Sequence, residues 1–332
     1  MPDVELGTRR LPGTDLHIAP VVLGTMTFGG QLDERDSEQV VRHALDSGLV
    51  TMLDTAPTYT GGASEEILGR LLPRLHGDIQ IATKVGSRRD TGPGAHGRLR
   101  PDLIRSTCDE SLRRLGVERI DLYYFHMPDH DTPLEESMGA LQELVEAGKV
   151  GAFGLSNHPA WMLVEAHRIA ERNGWTAPRV NQPLYNLLAR RLEDTFLRCT
   201  DALGMSNLVF NPVAGGLLTG KYRQDLGPTE GTRFALNPVY TARYWNDAQF
   251  AAVERLGAIA AGAGTDLLGL SFRWLLSRAG VDGVILGVSS LEQLRTNLAA
   301  VRGPVPDDDV LLAVDEVWTT LAGAAPLHYW ND

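Results

Sequence analysis

Eight alternations of a short apolar run with an amphipathic helical window predict a (β/α)8 barrel of the TIM type. Length and composition agree. The chain has 332 residues, which closed α/β barrels reach as one domain, so residues 1–332 are read as a single domain. It is 43% hydrophobic and 22% charged, with ample apolar material for a large core.

The elements follow in order. A terminal hairpin is expected from two short runs, 4–7 and 16–18, separated by 9–13. Apolar runs at 20–24, 50–53, 79–84, 120–126, 150–155, 180–182, 208–213 and 284–287 read as the barrel strands. Helical windows at 36–46, 64–75, 101–115, 134–147, 160–173, 193–203, 248–263 and 291–300 fall between and after them. An extra C-terminal helix is expected at about 307–321, followed by an aromatic tail reaching residue 332. One long irregular stretch, about 222–246, interrupts the rhythm, and loops of that length in compact domains tend to be functional.

Composition excludes several classes. A formal net charge of −11 argues against a nucleic-acid partner, because such proteins carry a basic stripe. Cys108 and Cys199 fall in helical windows with no CxxC spacing, which argues against a disulfide framework or zinc site and fits a reducing compartment. Residues 1–13 lack the apolar core of a signal peptide, and the most apolar helical stretch, 256–270, is interrupted by Asp266. The chain is therefore read as cytoplasmic, without a membrane span, and a homo-oligomer is left open.

In a barrel, the C-terminal ends of the strands converge on one face. Asp54 after the second strand, Lys84 ending the third and His126 ending the fourth would meet there. Tyr59 would join them from a turn, since Pro57 fixes its own φ and keeps Ala56 extended. Ser64, with Glu65 and Glu66, reads as the N-cap of the next helix. A phenol titrates near 10, and an adjacent ammonium lowers that value, so Lys84 is expected to activate Tyr59 while Asp54 holds Lys84. An imidazole beside them can hydrogen-bond a substrate oxygen. Together the four describe protonation of an oxyanion formed by hydride attack.

These residues, in the contexts Asp54-Thr55-Ala56 with Tyr59, Ala82-Thr83-Lys84-Val85 and Phe125-His126-Met127-Pro128-Asp129, resemble the Asp, Tyr, Lys and His tetrad of the aldo-keto reductase superfamily. The resemblance spans nearly the whole chain and is greatest to the aflatoxin-aldehyde and succinic-semialdehyde reductase branch. It implies an NADPH-dependent oxidoreductase that reduces a small carbonyl compound, with Tyr59 as general acid. By the same resemblance, Ser156, Asn157 and Gln182 would meet the nicotinamide carboxamide, and Phe210 would lie under its ring. The run from Asn211 through Val213, Gly215, Gly216 and Leu217 to Lys221 would wrap the pyrophosphate. Arg233, Ser289, Gln293 and Asn297 would hold the adenosine 2′-phosphate end. Ordinary capping and a solvated face of the helix at 291–300 are the competing reading of Ser289 and Gln293. His126, Tyr240 and Arg243 would contact substrate. The branch's C-terminal cationic anchor falls on Asn331, which carries no charge, so bulkier and less charged carbonyls are expected over ω-carboxylated aldehydes. The superfamily also includes potassium-channel β subunits that bind NADPH as sensors, which supplies the rival function.

Three motifs mislead. The GxGxxG match at 92–97 has no strand entering it. The P-loop-like run 215–221 is followed by Tyr222, where a Ser or Thr would be needed to hold Mg²⁺. His126 and His130 have metal-pair spacing, but Pro128 between them forbids a regular helix.

Overall fold

The computed structural model describes residues 6–87 and 97–323. A short antiparallel pair, β1 (Arg9–Arg10) and β2 (His17–Ile18), precedes eight parallel strands that close into a barrel. In order these are β3 (Val21–Gly24), β4 (Val50–Asp54), β5 (Gln80–Val85), β6 (Ile120–Phe125), β7 (Val150–Ser156), β8 (Val180–Gln182), β9 (Ser206–Phe210) and β10 (Gly283–Gly287). Closure is made by β10, which pairs with β9 on one side and β3 on the other.

Around the barrel run α1 (Glu34–Asp46), α2 (Ala63–Leu71), α3 (Pro101–Leu115), α4 (Leu134–Glu146), α5 (Ala160–Asn173) and α6 (Phe196–Ala202). Next come α7 (Arg233–Leu236), α8 (Pro238–Tyr244), α9 (Asp247–Gly262), α10 (Leu267–Ser277), α11 (Leu291–Val301) and α12 (Asp308–Ala322). Among the described residues no helix is long and apolar enough to cross a membrane.

Inside the barrel, Val22, Met52, Leu122, Tyr124, Val180 and Leu208 pack into one cluster that also takes in Leu11, Leu16 and Ile18 from the hairpin. The hairpin thus seals the barrel at the strands' N-terminal ends, leaving the opposite face to carry the site.

Four expectations need correction. The first hairpin strand is Arg9–Arg10, paired Arg9 to Ile18, rather than the 4–7 run. The strand expected at 208–213 ends at Phe210, because Asn211 turns the chain at φ +63°. The stretch 222–246 is not irregular but holds α7, α8 and a short 3-10 turn at Gln224–Leu226. The unassigned residues after 263 form α10, capped by Asp266, whose carboxylate accepts from the Gly269 amide at 2.7 Å. That helix is buried on nearly every side and so shows no amphipathic period. The GxGxxG stretch lies almost wholly outside the described residues.

Candidate active site

Strand register brings the site together. Gly24, Asp54 and Ala82 sit side by side across β3, β4 and β5, and Lys84 lies two residues further along β5, opposite Tyr124 of β6. Tyr59 begins a 3-10 turn, Tyr59–Gly62, directly after the Asp54 strand end. Helix α2 then starts with Gly62 as its N-cap, in the left-handed region. Ser64 is not the cap: it is fully buried, donates to the Thr25 carbonyl at 2.9 Å and meets the Thr25 and Thr55 hydroxyls at 2.8 and 2.9 Å. Glu65 is buried too, accepting from Thr83 at 2.7 Å and Arg114 at 2.9 Å. These bonds fasten the turn that presents Tyr59 to the barrel rim.

Lys84 is entirely buried behind the rim, its ammonium donating to Asp54 Oδ1 at 2.5 Å, the Thr55 carbonyl at 2.7 Å and the Tyr59 hydroxyl at 3.3 Å. All three of its hydrogens are therefore used. Burial works to depress the Lys84 pKa, but Asp54 and Tyr59 together hold it above its ordinary value. For Tyr59 the balance differs from the sequence expectation. Burial raises the phenol above its ordinary value, and Lys84 only partly offsets that rise. His126 stands edge-on to Tyr59, ring centroids 6.3 Å apart. Burial, reinforced by the Lys84 charge, pushes its imidazole down to about 3.

A cavity of about 620 Å³ opens over these groups and runs from Asp54, Tyr59 and His126 to Ser289, Gln293 and Asn297. Ser156, Asn157, Gln182, Phe210, Asn211, Val213, Gly215, Gly216, Lys221, Arg233 and Tyr240 also line it. Three residues named from sequence do not: Lys84 lies buried behind the wall, and the other two are Leu217 and Arg243. Leu217 has its side chain in the core, and Arg243 is exposed outside the cavity, 5.9 Å from the Tyr240 and Tyr244 ring centroids. Asn331 lies outside the described residues.

Several lining side chains already have partners. Gln182 donates to Asp54 Oδ2 at 2.8 Å, and Ser156 donates to the Gln182 carbonyl at 3.0 Å. Asn157 donates to the His126 carbonyl and to Ser156 Oγ, both at 3.0 Å. Asn211 bridges the Gly215 amide and the Tyr244 hydroxyl at 2.7 and 2.8 Å. Gln293 accepts from the Ser289 amide at 3.0 Å, while Ser290 caps α11 through the Gln293 amide at 3.1 Å. Ser290 rather than Ser289 is therefore the cap, and Gln293 reaches back past it to the Ser289 amide, close to a capping box but one residue displaced.

Sequence reasoning overlooked Met26, Thr27, Gln31 and Glu230, which also line the cavity. The first three follow the β3 strand end, so the same strand-end argument pointed to them. Glu230 has no comparable signal, because its placement depends on how the 222–246 segment folds across the barrel mouth. Gly215 and Gly216 have φ of +70° and +101°, and a Cβ on Gly215 would fall 2.7 Å from the Tyr240 ring. The glycines thus let that segment settle directly onto the loop after β9.

Comparison with known proteins agrees with this architecture. The chain matches the Aldo/keto reductase family over residues 20–318. It belongs to that family. It is 38% identical over 325 residues to aflatoxin B1 aldehyde reductase member 2 of Rattus norvegicus, covering 93% of this chain and 87% of the relative. A probable voltage-gated potassium channel subunit beta of Arabidopsis thaliana is 32% identical over 300 residues, 88% of this chain and 90% of that one. Among solved structures, the glycerol dehydrogenase of Gluconobacter oxydans superposes with a TM-score of 0.82 at 29% identity, covering 98% of each chain. Family and relatives support an oxidoreductase acting on small-molecule carbonyl groups.

Proposed function

We propose that this chain reduces an aldehyde or ketone to an alcohol with NADPH, Tyr59 giving the proton, and that the whole chain acts as one catalytic domain. The observation that carries the reading is the Tyr59 hydroxyl 3.3 Å from an ammonium that Asp54 holds at 2.5 Å, at the wall of a long cavity. The residues present suit a dinucleotide. Gly215 and Gly216 line the cavity without side chains of their own, Lys221 and Arg233 bring cations, and the first turn of α11 brings amides. Ser156, Asn157 and Gln182 would frame the nicotinamide amide over Phe210, and Arg233, Ser289, Gln293 and Asn297 the 2′-phosphate. Bound there, the cofactor supplies a hydride to the carbonyl carbon.

The chain's own residues do the rest. A phenol held above its ordinary pKa keeps its proton at neutral pH, which is the state a general acid needs. As negative charge develops on the substrate oxygen, that proton crosses to it, and Lys84 stabilises the phenolate left behind. Asp54 keeps Lys84 charged and in place. His126, held neutral, offers a dipole to the carbonyl oxygen and adds no second cation beside Lys84. Tyr240, on the cavity wall, would meet the far end of the substrate.

A sensor role is the second reading, favoured by the likeness to a potassium channel β subunit. Following NADPH absorbance across aldehydes and ketones separates the two. Turnover is expected, with aromatic and hydrophobic aldehydes showing higher kcat/KM than succinic semialdehyde. Tyr59→Phe should lose nearly all turnover yet bind NADPH almost as well. A variant that keeps most of the parent kcat would remove Tyr59 from the chemistry, and a parent that binds NADPH without turning over any carbonyl favours the sensor.

A further inference from the structure

The segment that brings Arg233 to the cavity also brings a carboxylate. Glu230 is exposed, lines the cavity, and has no ion pair or hydrogen bond among the described residues. Two contacts fix its place on the rim. The Gln31 amide donates to the Gly231 carbonyl at 3.4 Å, tying the segment to the loop after β3. In that same loop the Thr27 hydroxyl donates to the Val288 carbonyl at 2.6 Å, directly before Ser289. Glu230 thus lines the same cavity as Ser289, Gln293 and Asn297, on a segment tied to the β3 loop, which is itself tied to the β10 loop.

The cations are held differently. Arg233 lies over the Tyr240 ring at 5.1 Å with a guanidinium nitrogen 3.4 Å from its hydroxyl, and Lys221 lies 5.1 Å from the centroid of the Tyr222 ring. Each is braced by an aromatic face, whereas the carboxylate has no such brace among the described residues.

We propose that Glu230 is a cofactor-selecting residue: it weakens the hold on a dinucleotide bearing a 2′-phosphate relative to one bearing a free 2′-hydroxyl, so that the chain accepts NADH as well as NADPH. This rests on the reading of the cavity as a dinucleotide site. A carboxylate repels a phosphate monoester carrying up to two charges, and incomplete screening inside a cleft preserves much of that repulsion. The same carboxylate accepts a hydrogen bond from a ribose hydroxyl, the role acids play in NAD sites of other folds. Both effects act in the same direction on the ratio of affinities.

The test is a fluorescence titration of the parent protein and Glu230→Gln with NADPH and with NADH, at low and at high salt. The parent should bind both, NADPH the tighter. Glu230→Gln should widen the preference for NADPH by about three- to ten-fold, and the widening should shrink as salt rises. A parent that binds neither nucleotide overturns the dinucleotide reading and this inference with it. A parent that binds both, with a ratio that Glu230→Gln leaves unchanged or with both affinities moved equally, overturns this inference alone. The substituted side chain is exposed, so an unchanged melting temperature checks that the fold is intact.

Discussion

His158 shows how much of a residue's chemistry is decided by what surrounds it. It is only 3% exposed, behind Asn157 of the cavity wall, with its Nδ1 2.7 Å from the Ser156 carbonyl. Burial pushes its imidazole down to about 4, the Ser156 carbonyl opposing the shift and His130 adding to it. The unfolded chain takes up a proton near pH 6.5, as an unperturbed imidazole does, while the folded chain resists it until about pH 4. The stabilisation from this group is thus complete above about 6.5 and is lost as pH falls towards 4, at about 1.4 kcal/mol per pH unit and about 3 kcal/mol in all. Urea unfolding measured across that window should show His158→Gln with a flatter pH slope than the parent, and equal slopes would show that the proton is not excluded. The convergence of candidate site residues was legible from sequence where strand ends marked them, as with Asp54, Lys84 and His126. How each one's hydrogen bonds are used was not. Ser64 has the look of a cap yet serves as a buried link to Thr25 and Thr55, and the Gln182 amide is engaged by Asp54. Residue type and spacing carry no information about which of several partners takes a given donor.

At the scale of elements, the segment from Tyr222 to Trp245 is held down by aromatic packing. Tyr222, Phe234 and Trp245 stack edge to face at 5.0 to 5.8 Å, and the Tyr244 hydroxyl accepts from Asn186 at 3.1 Å and Asn211 at 2.8 Å. The sequence marks this stretch as long and aromatic but hides its short helices, because four- and seven-residue helices are too brief to show a period. Helix α10 escapes for the opposite reason, being apolar nearly all round. The contact between Gly215 and Tyr240 offers a direct probe of the segment. Gly215→Ala places a methyl 2.7 Å from the Tyr240 ring at a φ of +70°, so both the backbone and the ring must shift. Left-handed strain for a non-glycine residue costs about 1 to 2 kcal/mol. The variant should bind NADPH at least about ten-fold more weakly and be cut faster by protease within 222–246. Parent-like affinity and parent-like cleavage would show that Tyr240 does not depend on this seat.

Across the whole molecule, two additions to the eight-unit barrel have contrasting roles, one sealing its floor and the other clasping its side. The hairpin contributes Leu11, Leu16 and Ile18 to the barrel interior. Both the barrel and these additions could be expected from sequence, since the strand-helix rhythm and the surplus helix after the eighth unit are visible in it. The clasp was hidden, because it depends on α10 and on a buried arginine far from either helix in sequence. Helix α12 packs against α9 through a face that includes Val314 and Val317, and Arg190 ties it to the barrel side. The Arg190 side chain, 3% exposed, forks onto Glu193 at 2.8 and 2.9 Å and reaches Asp315 of α12 at 2.6 Å. Its guanidinium also lies 4.8 Å from the Trp274 ring of α10 and 5.9 Å from Trp318 of α12. Removing it leaves Glu193 still bonded by the Tyr185 hydroxyl at 2.5 Å, and Asp315, 44% exposed, can be hydrated. The loss should therefore fall below that of a fully buried pair, at about 2 to 3 kcal/mol including the aromatic contacts. Arg190→Met is expected to lower the urea midpoint accordingly and to speed amide exchange across α12 more than in the barrel strands. Arg190→Lys should recover only part, because an ammonium keeps the charge but cannot span Glu193 and Asp315 as a fork does. A methionine variant as stable as the parent, with α12 exchange unchanged, would show that apolar packing against α9 holds the helix and that the arginine is incidental to it.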